Sequence, residues 1–152
     1  MVNTRITPYY TNQMAKSCLE QALKRLQRGP IAERSLRDDL AGCGEELEAV
    51  IAYLKAHGLL DDRAYAEALV RRYRHRWGSL RLRPFLRQRG IPEPLIDELI
   101  GDEDLNEALE LLRRFPQRHR GERPRALRWL QGRGFPLEVA FQAWELYEES
   151  RA

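Results

Sequence analysis

Apolar side chains recur along this chain at intervals of three and four, the spacing that lines one face of an α-helix. Leu19, Ala22, Leu23 and Leu26 form one stripe; Leu47, Val50, Ile51 and Leu54 form a second; Tyr65, Ala66, Leu69, Tyr73 and Trp77 form a third. Each stripe is short and closes near glycine or proline, at Gly29-Pro30, Gly44, Gly58, Gly78, Gly90, Gly101, Gly121 and Gly134. Val, Ile and Thr are sparse, and no Asn-Gly or Asp-Gly pair offers a hairpin turn. The pattern predicts an all-α protein made of short helices.

The helices come in repeats. Residues 21–44 (QALKRLQRGPIAERSLRDDLAGCG) align with 67–90 (EALVRRYRHRWGSLRLRPFLRQRG), pairing Ala22-Leu23 with Ala68-Leu69. Both segments place leucine four and eight residues before the closing glycine, as Leu40 and Leu36, then Leu86 and Leu82. A longer third copy, 107–134, keeps Ala108-Leu109, Leu130 and Gly134. Another apolar helix follows each glycine, and two of these enter through Gly90-Ile91-Pro92 and Gly134-Phe135-Pro136, where a first-turn proline costs no internal bond. The expected architecture is three tandem three-helix repeats in an elongated, curved array: an arm over 1–14, then repeats over 15–60, 61–103 and 104–152.

The junction LKAHGLLDDRAYAEALV (54–70) is dense in helix-end signals. Gly58 suits the left-handed residue that ends one helix. Asp61 or Asp62 can cap the next; if Asp61 does so, Leu60 and Tyr65 stand where a hydrophobic staple forms.

Charge sharpens the picture. The net charge of +3 conceals 23 Arg against 3 Lys. Residues 71–90 carry eight arginines and no acid, 93–110 carry eight acids and no Lys or Arg, and 113–133 carry eight arginines against Glu122 alone. Solvated faces that balance one another would produce such blocks; so would basic faces kept clear for a polyanion or an acidic protein. Cys18 and Cys43 form no C-x-x-C motif and no metal spacing with His57, His75 or His119, which suits a reduced cytoplasm. No signal peptide or membrane-length apolar run is present. Gly42-Cys43-Gly44 lacks the Lys-Ser/Thr of a phosphate loop, and no nucleophile stands in an acid–base setting. Neither catalysis nor a cofactor is expected.

The segment LKAHGLLDDRAYAEALV followed by RWGSLRLRPFLRQRGIP resembles the RecX regulatory proteins of bacteria. The matching residues are Gly58, Leu60, Asp61, Asp62, Tyr65 and Ala66, then Gly78, Arg81, Leu82, Arg83, Leu86, Arg89, Gly90 and Ile91. The resemblance extends over roughly residues 15–148, since three tandem three-helix units are also that family's architecture. It implies a regulator that binds the RecA filament on single-stranded DNA and restrains its ATPase, strand-exchange and co-protease activities, in DNA repair and the SOS response. Two features depart from the family pattern. Pro84 falls where a helical residue belongs, so the helix either starts late or bears a proline worth about 3 kcal/mol of destabilisation. The first unit ends in AGCGEEL rather than a basic residue and glycine.

The residues expected to face RecA or nucleic acid are Arg71, Arg72, Arg74, Arg76, Arg81, Arg83, Arg87 and Arg89, with Arg113, Arg114, Arg118, Arg120, Arg125, Arg128 and Arg133 in the third unit, where Arg123 belongs to the same run. Trp77, Trp129 and Trp144 fall on apolar stripes, which favours core packing over base stacking. The implied partners are the RecA filament and single-stranded DNA, with double-stranded DNA a further candidate; no membrane partner is expected, and a monomer is the default expectation for a repeat chain without an exposed apolar seam. A stand-alone helical nucleic-acid-binding module is the alternative, and a protein-only scaffold a third reading.

Overall fold

The computed structural model describes residues 18–101 and 104–152, and all regular structure among them is helical. The expected arm, 1–14, lies outside the described residues. In chain order the helices are α1 (18–27), α2 (Glu33–Asp39), a 3₁₀ turn (Ala41–Cys43), α3 (Glu46–Ala56), α4 (Asp62–Tyr73), α5 (Ser79–Gln88), α6 (Glu93–Leu99), α7 (Asp104–Arg114), α8 (Pro116–His119), α9 (Arg123–Gly132) and α10 (Leu137–Arg151). Three-helix groups follow one another as α1–α3, α4–α6 and α7–α10, the last with α8 inserted. The chain divides between Tyr65 and Ala66 into two compact units.

The core of the first unit gathers Ala22, Ile31, Leu36, Leu40, Val50, Ile51, Leu54 and Leu60, all buried. Cys18 and Cys43 lie in the same core, joined as a disulfide with 6.0 Å between their Cα atoms. The sequence reading places these cysteines in a reducing compartment; their pairing removes that support, and a separation of 25 residues carries no motif that would announce it.

The two aspartates of the junction have separate tasks. Asp61 caps its own helix, accepting the Ala64 amide at 3.1 Å. Asp62 reaches back to α2 and accepts the Glu33 amide at 2.8 Å. That helix has no cap of its own, because Ala32 at its N-cap has no side-chain acceptor. Gly58, at φ 68°, ends α3 in the left-handed region, as expected. On the outer side, Glu33 pairs with Lys55 at 2.5 Å and with Arg37 at 2.9 Å, and Arg37 also grips Glu48. The hydrogen bond from Lys55, helped by Arg37, holds the Glu33 carboxyl below its ordinary value against the opposing effect of burial.

The same joint recurs in the second unit. Ser79 opens α5 as Glu33 opens α2, each eleven residues before its closing glycine, Gly90 or Gly44. Asp104, first residue of α7, accepts the Ser79 amide at 3.0 Å. The Gly78 and Leu80 amides donate to the Arg133 and Gly134 carbonyls at 2.8 and 2.9 Å. The leading amides of α5, which lacks a side-chain cap at Gly78, are thus met by residues of the following repeat. Closeness here requires glycine: a Cβ on Gly78 would stand 2.5 Å from the Gly134 carbonyl oxygen, and one on Gly134 would stand 2.4 Å from the Arg81 Cβ.

Burial corrects the repeat register. Ala22, Ala66 and Ala108 are each 0 % exposed, whereas Ala68 is exposed, so the first helix of the second repeat aligns two residues earlier than the Ala-Leu pairs suggest. Farther on the repeats agree as the sequence has them. Leu36 and Leu82, then Leu40, Leu86 and Leu130, are buried ahead of Gly44, Gly90 and Gly134. Pro92 and Pro136 stand at N-cap positions, one residue before the helical turn where they are expected. Of the two readings of Pro84, the structure takes the interior one: α5 starts at Ser79 and runs through it. The carbonyl deprived of its partner belongs to Leu80, which is 61 % exposed, so water can replace the lost bond.

Two outcomes test this account. Gly78→Ala should destabilise the second unit by about 3 kcal/mol through overpacking against backbone. Gly132→Ala, at a helical position with open space, should stabilise it by up to about 1 kcal/mol. Tryptophan fluorescence in urea reads both, since all three tryptophans lie in that unit. The Glu33 pairing contributes fully above its unfolded pKa of about 4.5, and acid removes it as pH falls through the lowered folded value. Glu33→Gln should therefore be less stable at pH 7 and lose less on acidification; matching acid profiles by circular dichroism would contradict the pairing.

Candidate functional site

The arginines of the basic blocks do not share one environment. Arg71, Arg72, Arg76, Arg81, Arg87 and Arg89 are exposed, as are Arg113, Arg114, Arg118, Arg120, Arg123 and Arg128; Arg83, Arg125 and Arg133 are half-buried. Arg74 is buried, at 8 % exposure, and its guanidinium lies 3.3 Å from the equally enclosed Asp104. The charges attract at that distance without the alignment of a hydrogen bond. Grouped by sequence with the outward-facing arginines, Arg74 is instead part of the joint between α4 and α7.

Some of the remaining charge is met within the chain. Arg83 pairs with Asp97 at 2.6 Å, Arg87 with Glu93, and Arg125 with Glu122 at 3.4 Å. The hydrogen bond from Arg87 lowers the pKa of Glu93 below its usual value. The acidic block thus neutralises part of α5 through α6.

Other arginines lie over rings, and they do so at equivalent places. In the second repeat, Arg72 lies 5.4 Å from the Tyr73 ring centre and Arg89 4.8 Å from that of Phe85, while the two rings meet edge-on at 4.9 Å. In the third, Arg114 lies 5.6 Å from Phe115 and Arg133 5.6 Å from Trp129, and those rings meet edge-on at 6.0 Å. Tyr73 and Phe115 each stand eleven residues after the capping aspartate, Asp62 or Asp104; Phe85 and Trp129 each stand five before the closing glycine. All four rings are half-buried. The ring positions escape the sequence reading because its repeat register is two residues off in the helix that carries Tyr73; counting from the aspartates would have found them.

The tryptophans divide accordingly. Trp144 is core, at 1 % exposure, while Trp77 and Trp129 are half-buried at the margin of the basic surface. Trp77 stacks on Tyr73 at 4.5 Å and carries the Arg81 guanidinium 4.4 Å from its centre. His119 is fully buried between Trp144 and Tyr147; one ring nitrogen lies 3.0 Å from the Leu112 carbonyl, and the other accepts the Gly121 amide at 3.0 Å. Both nitrogens are thereby engaged in holding α8. Among the described residues, no three His, Cys, Asp or Glu side chains gather into a metal-binding group, and no helix is long and apolar enough to cross a membrane.

The motif residues all act in structure. Leu60, Leu82 and Leu86 are core, Asp61 and Asp62 are caps, Tyr65 is half-buried, and Gly58, Gly78 and Gly90 make turns or close approaches.

Comparison with known proteins agrees with this arrangement. The second three-helix domain of RecX matches residues 61–100. A regulatory protein RecX of Thermus thermophilus is 45 % identical over 138 residues, covering 90 % of this chain and 96 % of its own. One from Halorhodospira halophila is 34 % identical, covering 78 % of this chain and 81 % of its own. The crystal structure of RecX from Lactobacillus salivarius superposes with a TM-score of 0.76 at 16 % identity, covering 91 % of this chain and 99 % of that one. A second crystal structure of a regulatory protein RecX gives 0.72 at 22 % identity, covering 98 % and 80 %.

The buried pair of Arg74 and Asp104 gives Arg74 a structural task that can be measured. Asp104→Leu should cost about 3–5 kcal/mol by leaving Arg74 buried without its partner. Adding Arg74→Met should recover most of that loss and leave about 1 kcal/mol for the missing cap. Urea denaturation measures both, and a double variant as unstable as the single one would show that the charge pair is not the source.

Proposed function

This chain belongs to the RecX family, and on that premise we propose that it regulates the RecA recombinase by binding the filament that RecA forms on single-stranded DNA. The effect is restraint of ATP hydrolysis, strand exchange and co-protease activity, which places the protein in DNA repair and the SOS response as a regulator without chemistry of its own. The three repeats, 15–60, 61–103 and 104–152, serve as the scaffold, and the protein works as a cytoplasmic monomer.

The observation that carries this reading is the arginine surface of the second unit. The exposed members, among them Arg71, Arg76, Arg113, Arg118, Arg120 and Arg128, and the ring-supported Arg72, Arg81, Arg89, Arg114 and Arg133, form the docking set. Arg83, Arg87 and Arg125 stand outside it because carboxylates of the chain meet them, and Arg74 because it is buried. Guanidinium is suited to such a surface: it is always charged, and its planar fork fits phosphate and carboxylate alike. A filament of protein and nucleic acid offers both groups at regular intervals. A stand-alone nucleic-acid-binding module would use the same arginines without the recombinase.

RecA ATP hydrolysis on single-stranded DNA separates the two readings. Substoichiometric protein should inhibit it, and inhibition should weaken steeply as salt rises from 50 to about 200 mM. Undiminished hydrolysis at saturating protein would remove the regulatory role.

A further inference from the structure

We infer that the Cys18–Cys43 disulfide is a redox latch on the first unit. Closed, it holds α1 against α2 and α3; reduction by a cellular dithiol releases that helix and leaves the second unit unchanged. The inference concerns the first unit alone and is independent of the arginine surface.

The bond is an addition to the repeat, not a requirement of it. Cys18 stands four residues before the buried Ala22, the place that Asp62 and Asp104 hold before Ala66 and Ala108. Cys43 stands one residue before Gly44, the place of Arg89 and Arg133 before Gly90 and Gly134. The later repeats fold with charged residues at both places, so the helical frame does not need sulfur at either.

α1 relies on the bond more than its neighbours do. Within 18–27 only Cys18 and Ala22 are buried; Leu19, Leu23 and Leu26 are partly exposed where they meet the core. Arg25 faces Asp39 at 3.8 Å on the surface, a pair of small worth. Short helices do not persist in water without packing or a covalent hold. α2 and α3 have further ties that do not pass through α1. The Asp62 carboxylate accepts the Glu33 amide at 2.8 Å, and Glu33, Arg37, Lys55 and Glu48 form their own set of charge pairs.

The surroundings of Cys43 admit a reductant. It ends a single 3₁₀ turn, Ala41–Cys43, in which Gly42 is exposed; Gly44 after it is exposed too, and both have open space where a side chain would stand. Lifting that turn uncovers the sulfur without unfolding a helix, a local opening that costs far less than global unfolding. A dithiol then reacts in two steps. Its first thiolate attacks the Cys43 sulfur, the bond to Cys18 breaks, and Cys18 leaves as a thiolate that takes up a proton. Its second thiolate attacks the reductant's own sulfur in the mixed disulfide, closing a cyclic disulfide and releasing Cys43 as a thiol. Two electrons and two protons thus pass from the dithiol to the protein. Glutathione disulfide reverses the change, becoming two molecules of glutathione as the latch closes.

The test is hydrogen exchange read by mass spectrometry on the full chain, closed in glutathione disulfide and opened in dithiothreitol. Reduction should speed exchange in the amides of 18–27 by at least about tenfold and leave α9 and α10 unchanged. Renewed oxidation should restore the protection, which separates release of α1 from failure of the unit to fold. Cys18→Ala with Cys43→Ala should exchange as the reduced wild type does, with or without dithiothreitol. Maleimide alkylation should find both thiols once the native chain has met dithiothreitol. Reduction that requires denaturant would make the bond a permanent staple and overturn the inference. So would equal protection of α1 in the two states, equal loss throughout α1, α2 and α3, or free thiols in the native chain under glutathione disulfide.

Discussion

A helix that begins without a side-chain cap leaves its leading amides in want of acceptors, and this chain answers that want from the next repeat. Asp62 accepts the first amide of α2, and Asp104 accepts the first amide of α5. Each aspartate is itself the first residue of a helix, where a negative charge is favoured by the helix's own amide dipoles. One carboxylate therefore serves two helix starts. The third middle helix, α9, begins at Arg123, likewise without a side-chain cap hydrogen bond at Glu122. Around Asp104 the joint is strengthened by Arg74, by the Arg133 and Gly134 carbonyls, and by a backbone crossing that only glycine permits at Gly78.

This constraint explains why much of the most recognisable part of the sequence has a structural task. The Leu-Asp-Asp segment, the glycines and the leucines are among the residues by which the family is identified, and each has a structural task in packing, capping or turning. The arginines are more loosely specified. Their surroundings sort them into one held in the interior, several balanced by the acidic helix α6 and the Glu122 turn, and several laid over rings. A basic block in sequence is therefore not one surface. Two arginines only two residues apart, Arg72 and Arg74, end up over a ring and inside the joint respectively.

The first unit differs in kind. Its outer face joins Arg37, Lys55, Glu33 and Glu48 in a closed set of charge pairs, and its core contains the disulfide. The positions that carry rings in the later repeats carry Gly29 and Asp39 here, and of the two arginine positions one keeps Arg28 and the other is Cys43. Repetition of a helical frame has left the surface of each copy open to a different use, because the residues that dock repeats together are few and lie apart from the rest.

Periodicity alone determined the helices, and the glycines with their leucines four and eight residues upstream determined the second half of each repeat. Such features are local: a helix face and a left-handed turn are set by neighbours within a few residues. The aspartate pair was legible as a helix start, yet which helix Asp62 serves was not, since its acceptor role spans 29 residues to Glu33. The register of the repeats' first helices, the burial of Arg74, the disulfide and the ring-and-arginine clusters were decided by tertiary structure. Each depends on which distant groups come within a few ångströms of one another, and alternation of apolar and polar residues along a chain carries no record of that distance.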